Sequence, residues 1–305
     1  MRRLLLWMAR NRWLKERLPR LPFARRAVRR FMPGETARDA LEAAEQFRPA
    51  GIGVLFTQLG ENLADLGAAE AVTAHYHGLL DEIQARALDG EISVKLTQLG
   101  LDLDADATFA NASSLAEHAA RMGGVFWIDM EGSAYTEPTL AMYERLKAEH
   151  ANVGICLQAY LRRTPADLHR LLPLEPAIRL VKGAYDEPVS IAFRSRVEVN
   201  AAYQSLAVSM LPPAAARKLR LGLGTHDVAL IERIAEFARS AGQPITSFEV
   251  QMLYGIRSGE QLRLARDGYR VRALISYGDA WYAWYLRRLA ERPANVAFAL
   301  RQLFG

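Results

Sequence analysis

Between residues 52 and 277 one alternation recurs eight times: a short apolar run rich in β-branched residues, then a longer segment of helical periodicity. The runs are IGVLF (52–56), ISVKL (92–96), VFWIDM (125–130), VGICLQ (153–158), AIRLVKG (177–183), RLGLGTH (220–226), SFEVQML (247–253) and RVRALISY (270–277). Amphipathic stretches such as NLADLGAAEAVTAHYHGLLDEIQ and DVALIERIAEFARSAG separate them, and DAWYAWYLRRLAER follows the eighth. Nearly continuous apolar strands suit a parallel sheet buried on both faces. Eight β-then-α units in about 250 residues are what a (β/α)8 barrel requires. The reading is therefore an α/β fold, a TIM-type (β/α)8 barrel over residues 36–305, with no Pro/Ser-rich linker dividing it.

Residues 1–35 stand apart. They carry eleven arginines and lysines against Glu16 and Glu35, a local charge of +9 in a chain whose total is +5, so the other 270 residues are mildly acidic at −4. Basic positions alternate with Leu, Trp and Phe, the pattern of an amphipathic helical arm. It either lies peripherally on an anionic membrane surface or packs on the barrel as a basic cap. No basic pattern in the body extends it into a nucleic-acid surface, so no nucleic-acid partner is expected. The apolar stretch Leu4 to Met8 is too short for a signal-peptide core, and no run of about 18 apolar residues offers a membrane span. A single cysteine, Cys156, excludes an internal disulfide framework and suits a reducing compartment. The expected location is cytoplasmic, peripheral to the inner face of the membrane if the arm meets lipid.

In a barrel of this kind the chemistry lies where strands end at their C-terminal side. Read off the eight runs, those ends present Lys95, Asp129, Gln158, Lys182 with Gly183, Thr225 with His226, and Gln251. Polar groups there are costly unless partnered, and strand capping alone does not select the same end of each run. Other motifs fail. GIGVLF and LGLGTH hold Gly-x-Gly without the third glycine that opens a dinucleotide-binding helix. DLDADATFANAS has Ala107 in place of a calcium loop's turn glycine and reads as a helix N-terminal loop. His75 and His77 fall inside a helical pattern where i and i+2 face apart. With six scattered histidines, no metal site is expected.

The stretch WYAWYLRRLAERPAN sets Arg287 and Arg288 beside Trp281, Trp284 and Tyr285. Adjacent helical positions point about 100° apart, yet two guanidinium groups can converge on one small anion. Lys95 adds a third cation. An aromatic-lined pocket with these cations suits a small carboxylate ligand with an apolar body.

These segments resemble the flavin-dependent proline dehydrogenase family. The stretches that carry the resemblance are SVKLTQLGLDLD, IDMEGS, VGICLQAYLRRTPADL, IRLVKGAYDEP, THD, FEVQMLYGIR and RRLAERPANV, in order over residues 50–300. The resemblance implies a (β/α)8 barrel with noncovalent FAD, oxidising L-proline to Δ1-pyrroline-5-carboxylate by hydride transfer and passing electrons to a quinone. It implies that Lys95, Arg287 and Arg288 hold the substrate carboxylate, with Asp129 orienting Lys95. It further implies that Met130, Gln158, Arg179, Lys182, Gly183, Ala184, Thr225 and His226 contact the flavin. Asp129 and Arg179 are the implied catalytic pair, Arg179 lying near the isoalloxazine, where a cation favours the reduced ring. Glu61 is the implied gate, pairing with Arg288 when substrate is bound. Such chemistry asks for positioning and a neutral amine rather than a strong general base.

The chain departs from the family pattern at three places. Trp284 and Leu274 stand where tyrosines are usual, and Thr57 replaces an aspartate. A more apolar, roomier pocket follows. One alternative is therefore the same flavin chemistry on a substituted, larger or N-modified cyclic amino acid. A second is a barrel that binds flavin or amino acid without turnover.

Overall fold

The computed structural model describes Asn11, Arg17 and residues 28–60, 63–282 and 284–286. Eight strands form a closed barrel in sequence order: β1 Gly53–Gln58, β2 Gly90–Val94, β3 Phe126–Ile128, β4 Val153–Gln158, β5 Ala177–Val181, β6 Arg220–Gly224, β7 Phe248–Leu253 and β8 Arg270–Tyr277. Every neighbouring pair is parallel, including the closing pair, where Leu55 registers with Leu274 and Thr57 with Ser276. The eight strands and the TIM-type fold read from the alternation are borne out. The boundaries shift modestly: β2 ends at Val94, so Lys95 opens a short 3-10 turn, and β3 ends before Asp129.

The helices are α1 Ala37–Glu45, α2 Leu66–Ala85, α3 Ala105–Arg121, α4 Thr136–Glu149, α5 Thr164–Leu171, α6 Arg196–Ala215, α7 Val228–Ser240 and α8 Ser258–Arg266. Side-chain caps set several of their starts, because the first turn of a helix leaves amide N–H groups without partners. Thr36 and Asp39 form a capping box on α1, Ser195 and Glu198 one on α6, and Asp65, Asp104 and Asp227 cap α2, α3 and α7. Asp104 thus belongs to a helix N-terminal loop, as its sequence context implies. On α2, His75 turns to Tyr277 while His77 turns to His118, facing apart as i and i+2 must.

Alternation along each strand separates two cores. One face packs outward against the helices, with Val54, Phe56, Ile92, Ile155 and Val250 among its members. The other fills the barrel, where Leu55, Trp127 and Ala177 cluster with Leu274 against them. Residues two apart from these share the inward face, which places Thr57, Asp129, Arg179 and Ser276 above that apolar layer.

After β8 the chain is helical at 281–282 and 284–286, and here it meets the N-terminal segment. Val28, Phe31 and Met32 are buried with Leu59, Trp281, Tyr282, Trp284, Tyr285 and Leu286. Trp281 Nε1 donates to Glu35 at 3.0 Å, and the rings of Phe31 and Tyr285 lie 5.7 Å apart. Residues 28–35 therefore pack on the barrel. The remainder of the expected basic helical arm, residues 1–27, lies outside the described residues apart from Asn11 and Arg17. Among the described residues no helix is long and apolar enough to cross a membrane.

Candidate active site

The inward residues at the C-terminal side of the barrel form one connected cluster around Arg179. This side chain is 3% exposed and projects from the middle of β5. Its Nη1 donates to Ser93 Oγ and to Asp129 Oδ1, both at 2.8 Å, and its Nε donates to Gln251 Oε1 at 2.5 Å. Ser93 in turn donates to the same Asp129 oxygen at 2.7 Å. A buried guanidinium needs such partners, because an isolated charge in a low-dielectric interior is strongly disfavoured. The Nη2 group, although buried, has no hydrogen-bond partner among the described residues. A planar guanidinium carries five N–H donors in a fixed fork, so the two on Nη2 remain unpaired among the described residues.

Arg179 fits where it does because its neighbours on β6 lack side chains. Gly222 registers with Arg179 and Gly224 with Val181. A methyl group on Gly222 would stand 2.7 Å from Gln251 Nε2, and one on Gly224 would meet Val181 Cγ1 at 2.7 Å and Arg179 Cγ at 3.3 Å. The two glycines open the gap through which an arginine from β5 and a glutamine from β7 meet.

The other sequence-derived residues take their places along the same rim. Lys95 follows β2 directly, is 8% exposed, and takes part in none of the ion pairs seen among the described residues. Asp129 and Met130 follow β3, the amide of Asp129 bonding to Val94 O at 2.9 Å. Gln158 closes β4; its Nε2 donates to Glu131 O at 3.2 Å, while its buried Oε1 has no partner among the described residues. Lys182, Gly183 and Ala184 leave β5, Gly183 at φ +110 with a hypothetical Cβ only 2.2 Å from the Tyr160 ring, so only glycine fits this turn. Lys182 Nζ donates to Asn200 at 2.7 Å and to Asp227 at 2.8 Å. Burial alone would raise the Asp227 carboxyl; the hydrogen bond and charge of Lys182 outweigh it and hold the group below its usual range. Thr225 follows β6, accepting from the amide of Asp227 at 3.2 Å, and His226 Nε2 faces the amide of Leu253 at 3.4 Å.

Asp129 was expected to orient Lys95, yet its carboxylate turns to Arg179 and Ser93. Ser93 registers with Trp127 on β3, two residues before Asp129, and Arg179 reaches across the barrel to both Ser93 and Asp129, whereas Lys95 lies two residues beyond Ser93 in a turn that has left the sheet. Glu61, Arg287 and Arg288 lie outside the described residues. Ser93 is the cluster member the rim reading missed, because it lies inside a strand; Gln251, read as a strand end, sits two residues short of the end of β7.

Two polar levels stack in the barrel. Below the apolar layer, Arg220 bonds bidentately to Glu91 (2.6 and 3.0 Å) and also reaches both oxygens of Glu249 (3.1 and 3.0 Å). Arg272 bonds to Asp89 at 3.0 Å and lies 3.8 and 3.7 Å from Glu91 and Glu249. Trp127 joins the levels: its Nε1 donates to Glu91 at 2.8 Å, and the guanidinium carbons of Arg179 and Arg220 lie 4.9 and 5.3 Å from its ring centroid. Cys156, opposite Arg179 in register, is buried, which pushes its thiol up to about 12. It is protonated near neutrality and offers no thiolate nucleophile.

A family profile described as "Proline dehydrogenase" matches residues 40–301. The chain belongs to the proline dehydrogenase family. "Proline dehydrogenase 1" of Bacillus subtilis subsp. natto is 33% identical over 307 residues, covering 99% of this chain and 98% of the relative. "Proline dehydrogenase" of Deinococcus radiodurans is 33% identical over 277 residues, covering 89% of this chain and 88% of the relative. Among solved structures, proline utilization A from Bdellovibrio bacteriovorus, inactivated by N-propargylglycine, superposes with a TM-score of 0.81 at 21% identity. That match covers 95% of this chain, which spans only 38% of the larger protein, and it supports the barrel fold. The proline dehydrogenase resemblance drawn from the motifs is thereby borne out.

Proposed function

We propose that this chain is a flavin-dependent dehydrogenase that oxidises L-proline to Δ1-pyrroline-5-carboxylate, with FAD held at the C-terminal side of the barrel. The observation that carries the reading is a pair of buried groups there with no partner among the described residues: Nη2 of Arg179 and Oε1 of Gln158. One is a charged donor and the other a neutral acceptor, the complement of a ring system that carries both carbonyl oxygens and an N–H. Met130, Lys182, Gly183, Ala184, Thr225 and His226 surround that position on neighbouring strand ends and would hold the rest of the cofactor. When bound, the flavin supplies the hydride acceptor.

The chain's own residues then bind and orient. Lys95, buried and without a carboxylate partner among the described residues, takes the carboxylate of the substrate through a charge-assisted hydrogen bond, and Arg287 and Arg288, which lie outside the described residues, would complete the clamp. Asp129 keeps Arg179 in place and offsets part of its charge, so that a cation remains beside the ring without an uncompensated field. The apolar floor of Leu55, Trp127 and Leu274 excludes water beneath the reacting carbon. A clamp of cations also disfavours the protonated secondary amine, leaving the neutral form that can lose hydride. Glu61 serves as the gate over Arg288.

Leu274 favours a second reading of the substrate. It is only partly buried and packs on Leu55 and Trp127, giving an apolar wall where family members carry a phenol. Trp284 is 9% exposed within the aromatic cluster around Phe31 and Trp281, which suits volume filling. A substituted or larger cyclic amino acid is thus the alternative substrate. Electrons pass on to a quinone, and residues 1–35 bring the 36–305 barrel to the inner membrane surface through the part of the arm preceding Val28.

Anaerobic titration of the purified holoprotein decides the matter. Bleaching of the flavin by L-proline, with kcat/KM exceeding that for hydroxyproline and pipecolate, is the expected result. A protein that takes up no FAD refutes the flavin reading, and a flavin that no cyclic amino acid bleaches refutes turnover.

A further inference from the structure

Gln251 lies between two partners that leave its amide one orientation. On one side, Glu249 Oε1 accepts from Gln251 Nε2, and both oxygens of that carboxylate are also bound by Arg220. On the other side, Arg179 Nε donates to Gln251 Oε1 at 2.5 Å. An ionised carboxylate only accepts and a guanidinium only donates. The carboxamide therefore presents N–H to Glu249 and C=O to Arg179. A glutamate at 251 would set two carboxylates against each other, asparagine would not span the gap, and an aliphatic residue would leave Arg179 Nε unsatisfied and Glu249 Oε1 with Arg220 alone. All three side chains are buried, Gln251 at 4% and Glu249 at 8% exposure, so water does not substitute.

This contact complements the pair on the other edge of the guanidinium. Ser93 and Asp129 hold Nη1, Gln251 holds Nε, and the fork is fixed at two corners with Nη2 as the third. Remove the Gln251 contact and the guanidinium can pivot about the Asp129 bond, carrying Nη2 away. We infer that Glu249 and Gln251 are positioning residues that aim Arg179 at the bound flavin, and that Gly222 is glycine to leave Gln251 room to do so. The inference rests on the reading of Arg179 as the cation beside the flavin ring.

The test compares holoproteins of the wild type, Gln251→Met, Gly222→Ala and Arg179→Met by flavin midpoint potential, by kcat and KM for L-proline, and by thermal midpoint. In Gln251→Met the reduction equilibrium is expected to weaken about tenfold, a fall of roughly 30 mV for a two-electron couple. The same variant should lose about tenfold in kcat with KM within about twofold, since Lys95 is untouched. Gly222→Ala keeps every side chain but inserts a methyl 2.7 Å from Gln251 Nε2; it should move potential and kcat in the same direction by a smaller factor. If Gln251→Met does not fold, Gly222→Ala decides alone. Should both variants lose thermal stability while potential and kcat stay at wild-type values, and Arg179→Met lower both, Gln251 is a packing residue and the inference is overturned. Should Arg179→Met itself leave the potential unmoved, the reading of Arg179 fails first and takes the inference with it.

Discussion

Replacing Glu91 by glutamine tests the lower polar level directly. The carboxylate receives Arg220 Nη1 and Nη2 at 2.6 and 3.0 Å, Trp127 Nε1 at 2.8 Å and the amide of Val125 at 3.2 Å, all of them donors. Glutamine keeps the shape but turns an NH2 toward one of these donors. Removing one partner of a buried ion pair costs about 3–5 kcal/mol. Arg220 retains Glu249, which places the expected loss at the lower end, about 3 kcal/mol. Urea unfolding should show this, accompanied by a fall in thermal midpoint of about 6–9 °C. The pH dependence carries the sign. Burial raises the Glu91 carboxyl, but the charges of Arg272 and Arg220 prevail and hold it below its ordinary value of 4.5. A group depressed on folding stabilises fully above its unfolded value and loses that contribution as pH falls through the folded one. The gap between wild type and Glu91→Gln should therefore be widest near neutrality and narrow below pH 4.5. A loss under about 1 kcal/mol, or one independent of pH, would refute the claim that these charges hold the barrel floor together.

Lys95→Met should raise KM for L-proline about 10- to 100-fold, the worth of one charge-assisted hydrogen bond, while flavin content stays constant by absorbance. Gly183→Ala forces a side chain onto φ +110 and into the Tyr160 ring; a loss of about 2 kcal/mol or more is expected, with a reduced flavin-to-protein ratio in the purified material. Trp281→Phe removes the bond to Glu35 and should cost about 1 kcal/mol in urea unfolding, and by loosening the helix after β8 it should raise KM more than it lowers kcat.

How legible was this molecule in its sequence? The eight strands were, because each is a short apolar run between helical segments, and a run such as VGICLQ coincides with β4 residue for residue. The rim was legible for the same reason: Lys95, Asp129, Gln158 and Thr225 are polar residues at the ends of apolar runs, and in a parallel barrel those ends share one face. Cluster membership was less so. Ser93 reads as an ordinary small residue within ISVKL, and Gln251 sits inside SFEVQML with nothing local to mark it as a partner of Arg179.

What the sequence by itself determined was periodicity, hence the barrel, the order of its strands and the side on which chemistry sits. Only the tertiary structure decided which inward residues touch. Arg179 and Gln251 are 72 positions apart, and Arg220 and Glu91 are 129 apart. Their meeting depends on the stagger of closed strands and on the missing side chains at Gly222 and Gly224. The same holds for Asp129, whose carboxylate turns to Arg179 rather than to Lys95. Burial is the reason: inside the barrel a charge goes to whichever opposite charge the closure brings within reach, and distance along the chain carries no information about that.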